Sequence, residues 1–162
     1  MNQFAQALGN KFVEQKEAIR IRSFEFAGHT FKVKVPLTSE FELIQKDMDN
    51  VDENIVNKYY DELSKELINN KDKSKSDNEI DFQDNDIIIK GKSLRDAAKN
   101  KALTEKRITT LFKFLVPEQK DFDMNTITYD MIEELFPFSI QMELISLIGD
   151  TISPNYKETR GK

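Results

Sequence analysis

The heptapeptide IIIKGKS at residues 87–93 is the segment of this chain whose residue types come nearest to a ligand-binding motif. A run of isoleucines, then Gly-Lys-Ser, then a helical pattern is the order of a phosphate-binding loop, whose backbone N–H groups surround the phosphate. Such a loop also requires a glycine five residues before Gly91, and Asp86 stands there with a carboxylate that repels phosphate. The segment is therefore predicted to be a strand and a turn, followed by Ser93 as the N-cap of a helix.

Carboxylates are concentrated at residues 47–54, DMDNVDEN, where a calcium loop would be the relevant chemistry. That loop needs an oxygen ligand at the position of Val51 and a glycine at the position of Asp52. Because both are missing, the segment is predicted to be the solvated face of a helix. Other carboxylates are plentiful, but none is paired in an apolar setting that would separate two pKa values for acid–base catalysis.

His29 is the only histidine, and the chain has no cysteine. Disulfides, thiolate metal sites and a cysteine–histidine dyad are therefore excluded. His29 itself falls at a predicted turn, where a polar residue is expected without any catalytic role. We predict no catalytic residue, no metal site and no cofactor, and hence a chain that is not an enzyme.

A basic stretch at residues 99–107, KNKALTEKR, is the remaining candidate for chemistry. On a helix, Lys99, Lys106 and Arg107 could meet the phosphates of a nucleic acid. The whole chain, however, carries a net charge of −5, whereas nucleic-acid-binding domains usually present a basic patch. A solvated helix face is the preferred interpretation, and a nucleic-acid-binding regulator is kept as an alternative that salt-dependent DNA retention would support.

Length and composition limit the class of protein. The chain has 162 residues, 38% of them hydrophobic and 33% charged, and its twelve Phe help to supply a core for one domain or one domain with an appendage. No apolar run approaches the roughly 20 residues of a membrane span. The first residues lack the basic start and apolar core of a signal peptide. A soluble, cytoplasmic protein is expected.

The elements that must position any site begin with a β-hairpin. A type II′ turn at Gly28-His29 is predicted, which pairs Phe26 with Phe31, Glu25 with Lys32 and Phe24 with Val33. Alternation then places the apolar side chains on one buried face. The structural residues of this hairpin are Phe24, Phe26, Gly28, Phe31 and Val33.

The rest of the first part is predicted to be helical. An amphipathic helix over residues 2–18 precedes the hairpin, with Gly9 as its weak point. Ser39 and Glu42 form a predicted capping box for one long helix over 39–68, with a break at Asn50–Asp52 as the alternative. Residues 69–79 contain no apolar side chain and are predicted to be a flexible linker.

Residues 80–152 form the second predicted part. A hairpin with its turn at Asp84-Asn85, of type I′, leads to the helix that Ser93 caps, with a split near Thr104 as an alternative. Thr128 is the predicted cap of a short helix ending at Phe136. The last helix is predicted over 138–150, stopping at Gly149, before a loose tail over 153–162. The fold class is therefore α+β, predominantly α-helical, with one or two short antiparallel hairpins.

The last helix is apolar almost all round, which indicates burial either in the core or against a partner. The core is the preferred interpretation. If instead this helix meets a partner, the residues that would bind it are Phe136, Phe138, Met142, Leu144, Ile145 and Ile148.

Two segments resemble tail assembly chaperones of long-tailed bacteriophages of the siphovirus type. FEFAGHTFKVKVPLTSEFE at 24–42 is similar to their opening, and ELFPFSIQMELISLIGDTISPNYKETRGK at 134–162 is similar to the close of related proteins. The resemblance implies a small, mostly helical, non-enzymatic protein that binds the tape-measure protein, keeps it soluble and promotes assembly of the tail tube.

The resemblance also implies where and with what the chain works. It would act in the host cytoplasm and be absent from the mature virion. The major tail protein and a second copy of the chain are further candidate partners, while nucleic acid and membrane are not expected. A minor tail or tail-completion protein is the structural alternative, which detection in purified virions would favour.

Overall fold

The computed structural model of this chain describes residues 2–71 and 79–153. The helices are α1 (Gln3–Ala7), α2 (Asn10–Gln15), α3 (Thr38–Met48), α4 (Glu53–Asn69), α5 (Leu94–Phe112), α6 (Tyr129–Leu135) and α7 (Phe138–Ile152). The strands are β1 (Ile21–Phe26), β2 (His29–Lys34), β3 (Ile80–Phe82), β4 (Ile87–Ile89) and β5 (Lys92–Ser93). This is the predicted α+β architecture, predominantly helical, with one two-stranded and one three-stranded antiparallel sheet.

The chain divides into two compact units, one of residues 1–43 with 108–162 and one of residues 44–107. The predicted segments 1–68 and 80–152 do not coincide with these units. The reason is that the first hairpin packs against the C-terminal helices, whereas α4 packs through Val56 against Ala98 and Ala102 of α5. Most of the predicted linker over 69–79 and of the predicted tail over 153–162 lies outside the described residues.

The first hairpin forms where predicted, but its register is shifted by two residues. Phe24 pairs with Phe31 and Phe26 with His29, so the two turn residues are Ala27 and Gly28 instead of Gly28 and His29. Ala27 has φ 51° and Gly28 has φ 80°, as the central positions of a type I′ turn require. A shift of two residues leaves every side chain on the same face, so the hydrophobic alternation cannot distinguish the two registers.

The face of this hairpin is the predicted one. Val33 is fully buried, and Phe24, Phe26 and Phe31 pack against the core of the first unit. The rings of Phe24 and Phe31 stack with their centroids 5.3 Å apart. The outer edge of β2 is also covered, because Lys34 N–H donates to the Phe114 carbonyl at 2.9 Å and Val116 N–H donates to the Lys32 carbonyl at 2.8 Å.

The core of this first unit brings together β2, α5, α6 and α7. Its buried side chains are Val33, Ile108, Leu111, Phe112, Ile132, Leu144, Ile145, Ile148 and Ile152. Residues far apart in the chain therefore share one apolar interior, which holds α7 in place.

Two helical predictions for the first part are wrong in detail. The single helix predicted over 39–68 is wrong and the alternative, a break at Asn50–Asp52, is confirmed, because α3 ends at Met48 and the Asp52 carboxylate caps α4 by accepting from Asn54 N–H at 2.9 Å. The predicted capping box is also wrong, because the helix begins two residues earlier, after Leu37, whose side chain cannot cap, and only the acidic half of a box is formed. The Leu37 carbonyl accepts from Phe41 N–H at 2.9 Å, and the Glu40 carboxylate, not that of Glu42, accepts from Leu37 N–H at 2.9 Å.

The second hairpin has the predicted turn position, and a third strand follows it. Ile80 pairs with Ile89 and Phe82 with Ile87, which leaves Asp84-Asn85 at the turn. Neither turn residue has positive φ, so the turn is not of type I′. Gly91, with Lys90, instead forms a second tight turn that adds β5 to the sheet, because both residues have positive φ.

The remaining helices differ from the prediction mainly at their ends. The N-terminal helix is divided at Gly9, and Phe4 and Leu8 of its apolar stripe are exposed. Helix α5 is continuous through Thr104, so the alternative split does not occur. Helix α7 runs past Gly149 to Ile152, since Gly149 keeps a helical backbone and does not act as a terminator.

Candidate functional site

The Gly-Lys-Ser segment leads directly into α5, and the hydrogen-bond donors there are occupied by the chain's own carboxylate, Asp86. Asp86 Oδ1 accepts from the backbone N–H of Ile87 at 2.8 Å and of Arg95 at 2.9 Å, while the Ser93 hydroxyl donates to Asp86 Oδ2. Ser93 is the predicted N-cap, since its Oγ accepts from Asp96 N–H at 3.1 Å. A phosphate would have to displace Asp86 from these donors, so the structure offers no phosphate site here.

The protonation of Asp86 follows from these contacts. Burial by itself raises the pKa of the Asp86 carboxyl, but the hydrogen bonds from Ser93, Arg95 N–H and Ile87 N–H and the positive charge of Arg95 outweigh it. The pKa of Asp86 is therefore held below its usual value. An ionised Asp86 stabilises the start of α5, where the helix dipole favours negative charge.

Two of the four carboxylates of residues 47–54 have structural partners. Asp47 forms an ion pair with Lys106 at 3.5 Å, and Asp52 caps α4. Over residues 2–71 and 79–153, no three His, Cys, Asp or Glu side chains are grouped closely enough to hold a metal ion.

His29 lies beside the turn and not within it. It is the first residue of β2, opposite Phe26, and its ring meets the Phe31 ring edge-on with the centroids 4.6 Å apart. The imidazole of His29 is exposed to solvent and packs against an aromatic side chain of the hairpin.

Basic side chains of α5 are largely engaged within the second unit. Lys106 donates to the Asn50 carbonyl in addition to pairing with Asp47. Lys101 lies 4.4 Å from the centroid of the Tyr59 ring, and Arg95 lies 4.1 Å from that of Tyr60. Of the three residues predicted to meet phosphate, Lys106 is thus engaged within the unit, whereas Lys99 and Arg107 are exposed.

The apolar residues of the last helix separate into two groups. Leu144, Ile145 and Ile148 are buried, which confirms the preferred core interpretation for this stripe. They cannot bind a partner without unfolding the first unit. Phe136 is half-buried, and its ring lies 5.9 Å from the Phe112 ring.

A second group of apolar side chains on α6 and α7 is exposed to solvent. We call these four residues the elbow face, and their exposed fractions are Met131 41%, Leu135 73%, Phe138 56% and Met142 41%. Each helix contributes two residues spaced by four, which puts the pair on one side of that helix. Phe138 and Met142 were predicted as partner-binding residues, whereas Met131 and Leu135 were not.

The corner between α6 and α7 is held by a buried side chain. Gln141 is 1% exposed, and its Nε2 donates to the Phe136 carbonyl at 2.8 Å while its Oε1 accepts from the Tyr129 hydroxyl at 2.9 Å. The two helices meet at a bend of 112°. Since Gln141 ties the corner to both helices, the elbow face is formed before any partner arrives.

The segment that carries the elbow face is acidic. Residues 121–153 contain no Lys or Arg and seven acidic residues, which are Asp121, Asp123, Asp130, Glu133, Glu134, Glu143 and Asp150. Four of these, Asp130, Glu133, Glu134 and Glu143, are exposed on the same two helices as the elbow face. An apolar surface within an acidic segment is thus the main surface feature of this part of the chain.

Sequence reasoning missed half of the elbow face and the residue that braces it. The signal for Met131 and Leu135 was their spacing of four within a helix too short to bury both sides. Gln141 could have been noticed as the polar residue on an otherwise apolar stripe.

The described residues contain no single helix long and apolar enough to cross a membrane, although α6 and α7 together pass the same test of length and composition. The elbow face is the candidate site of this chain, because it is an exposed apolar surface on two helices whose corner is braced. No protein-family model, curated protein or solved structure matches the chain.

Proposed function

We propose that this chain is a tail assembly chaperone of a long-tailed bacteriophage. In this role it binds the tape-measure protein, keeps it soluble in the host cytoplasm, promotes assembly of the tail tube and is absent from the mature virion. The resemblance of residues 24–42 and 134–162 to such chaperones suggests the family. The exposed elbow face, held open on two braced helices, is the observation that carries the proposal.

The physical argument begins with the partner. A long helical protein that waits for assembly exposes apolar stripes, and these cause aggregation unless another protein covers them. An apolar helix face is commonly covered by laying it against an apolar surface of a second protein. The elbow face offers such a surface without any opening of the core.

The charge of the chain supports the same role. Each bound copy of this chain adds a net charge of −5 to the complex, and a net charge away from zero opposes precipitation. Many copies bound along one long partner need only modest affinity each, because neighbouring sites on one chain raise the effective concentration.

The test is co-expression of a tape-measure protein with and without this chain. We expect the tape-measure protein to be soluble only in the presence of this chain and to co-elute with it in gel filtration. A tape-measure protein that is equally soluble alone, with no complex surviving gel filtration, would contradict the proposal. Detection of this chain in purified virions would favour a minor tail protein instead.

A further inference from the structure

We infer that the elbow face is the docking site for a basic amphipathic α-helix of a partner protein, with Lys and Arg flanking its apolar stripe. This inference rests on the proposed function, since it names the chemistry of the segment that the chaperone would bind. It is carried by the apolar residues of the elbow face, the acidic residues around them and the bracing of the corner.

The apolar part of the site suits a helix. Met131 and Leu135 lie along α6, Phe138 and Met142 lie along α7, and only Phe136 and Pro137 separate the two pairs in the chain. The Cα atoms of Leu135 and Phe138 are thus at most about 11 Å apart. An amphipathic helix docks on such an apolar surface through anchors at positions i, i+3 or i+4 and i+7. The two Met side chains adapt their shape to different anchors because they are unbranched and polarisable.

The acidic part of the site selects the partner's charge. Asp130, Glu133, Glu134 and Glu143 are exposed on α6 and α7, and residues 121–153 contain no Lys or Arg to neutralise them. Charges of opposite sign on the partner speed association and set orientation, whereas charges of the same sign cost affinity. The flanks of the bound helix are therefore basic.

The same charges disfavour two other occupants. An anionic membrane surface attracts Lys and Arg and is repelled by a segment with seven carboxylates and no base. A second copy that docked through its own elbow face would bring two acidic segments together. A basic helix is the one occupant of the three that gains from both the apolar and the acidic residues.

The bracing of the corner lowers the cost of binding. Gln141 donates to the Phe136 carbonyl at 2.8 Å and accepts from the Tyr129 hydroxyl at 2.9 Å, so the angle between α6 and α7 is set in the free protein. A surface that is already ordered loses little conformational entropy when a ligand binds.

The first experiment measures binding of two designed helical peptides to the full chain. Both carry leucines at i, i+3, i+4 and i+7 and a single Trp, and their other positions are lysines in one peptide and glutamates in the other. The chain has no Trp, so the fluorescence of the peptide reports binding without background. We expect the lysine peptide to bind with a Kd that rises with salt, and the glutamate peptide to bind at least about tenfold more weakly. Equal binding of both peptides, or binding of neither, overturns the inference.

The second experiment locates the site. The double variant Leu135→Ser with Phe138→Ser removes two exposed side chains and is expected to keep the fold, as circular dichroism will check. The matched control is Leu43→Ser with Leu37→Ser, since Leu43 on α3 is 68% exposed and Leu37 is 55% exposed. We expect the elbow variant to weaken binding of the lysine peptide by about tenfold or more and the control to leave it unchanged. No loss in the elbow variant, or an equal loss in both, overturns the assignment.

The third experiment tests the charges. The triple variant Glu133→Gln, Glu134→Gln, Glu143→Gln should reduce the salt dependence of lysine-peptide binding. The control neutralises three carboxylates of α4 by Asp61→Asn, Glu62→Gln and Glu66→Gln, and its salt dependence should match that of the unchanged chain. If the α4 control reduces the salt dependence as much as the triple variant of α6 and α7 does, the effect comes from net charge alone. That outcome contradicts a specific contribution of Glu133, Glu134 and Glu143 to binding.

Two further measurements address the other occupants. Retention of the full chain by phosphatidylcholine vesicles with phosphatidylserine, lost in Leu135→Ser with Phe138→Ser, would replace the peptide partner by a membrane surface. A dimer in sedimentation that the same variant dissociates would replace it by a second copy. We expect neither.

Failure of this inference can be distinguished from failure of the proposed function. If the elbow variant still solubilises the tape-measure protein, the chaperone stands and its docking site lies elsewhere. If the lysine peptide binds through the elbow face but the tape-measure protein is soluble without this chain, the docking site stands and the chaperone proposal is wrong.

Discussion

Asp86 shows how a single side chain can remove one function and supply a structural one. It stands where a phosphate-binding loop would need glycine, and its carboxylate accepts from the Ile87 N–H of β4 and from the Ser93 hydroxyl and the Arg95 N–H at the start of α5. The same donors that would hold a phosphate now hold Asp86. At the scale of the residue, this contact joins the turn of the second hairpin to the helix that follows it.

The first prediction concerns this carboxylate. Asp86→Ala should lower the free energy of unfolding by about 1–2 kcal/mol at neutral pH, because the start of α5 loses its acceptor. The folded pKa of Asp86 is depressed, so its contribution is fully present above the ordinary Asp pKa of about 3.9 and is lost as pH falls through the folded pKa. Urea unfolding at neutral pH and at about pH 3 measures the effect, which should be smaller at the lower pH.

The control for this prediction is Asp84→Ala, which removes an exposed carboxylate from the same turn. It should change stability by less than about 0.5 kcal/mol. If both variants lose the same stability at both pH values, the carboxylate of Asp86 has no special role.

Short elements of this chain are fixed by one or two residues each. The turn of the first hairpin has Ala27 at φ 51°, a region in which a residue with a Cβ is strained. The corner between α6 and α7 depends on Gln141, which is buried and bonded to both sides of the bend. Substitutions of Ala27 and Gln141 therefore test the turn of the hairpin and the corner between the helices separately.

The second prediction concerns the hairpin turn. Ala27→Asn should stabilise the chain by about 0.5–1 kcal/mol, because Asn tolerates positive φ and Asn-Gly is a preferred type I′ pair. Gly28→Ala should destabilise it by about 1 kcal/mol or more for the same reason. Thermal unfolding of both variants measures the two signs. A turn at Gly28-His29 would instead make Ala27→Asn neutral or unfavourable.

The third prediction concerns the corner between α6 and α7. Gln141→Leu should cost about 1–3 kcal/mol, because the Phe136 carbonyl loses its buried donor. Urea unfolding measures the loss, and Ser146→Ala on the exposed side of α7 serves as the control. Binding of the lysine peptide should also weaken, since the elbow face loses its fixed angle. A stable variant with unchanged peptide binding would show that Gln141 does not brace the surface.

At the scale of the whole molecule, charge and burial are distributed unevenly. The net charge is −5, yet residues 121–153 alone carry seven acidic and no basic residues. The basic residues of α5 lie in the other compact unit, where several of them contact α4 or the segment before it. The acidic segment over 121–153 and the basic stretch of α5 thus belong to different compact units.

The fourth prediction follows from that distribution. The full chain should pass through DNA-cellulose at low salt without retention, because it is acidic overall and Lys106 is engaged with Asp47 and Asn50. Lys106→Ala should instead lower the free energy of unfolding by roughly 0.5 kcal/mol, the usual scale of a largely exposed ion pair. Salt-dependent DNA retention that Lys99→Ala and Lys106→Ala both weaken would support the regulator instead of the chaperone.

The sequence by itself determined the features that depend on neighbouring residues. Ser93 and Thr128 are helix caps as predicted, since a cap bonds to backbone only a few residues away. The inward face of the first hairpin follows from alternation, and the turn at Asp84-Asn85 follows from its flanking strands. The predominantly helical α+β class follows from the same local patterns.

Only the tertiary structure decided the features that depend on distant residues. The register of the first hairpin was off by two residues because alternation is unchanged by that shift, and the strained Ala27 turn is compensated by packing of the paired Phe rings on the core. The two units depend on contacts between the first hairpin and the C-terminal helices, more than a hundred residues away. Burial of Leu144 and exposure of Phe138 on one apolar helix depend on which side meets β1 and β2. The charged residues of this helix mark only its exposed side, and its remaining apolar side chains carry no local signal for which of them meets the hairpin, because that choice depends on residues distant in the chain.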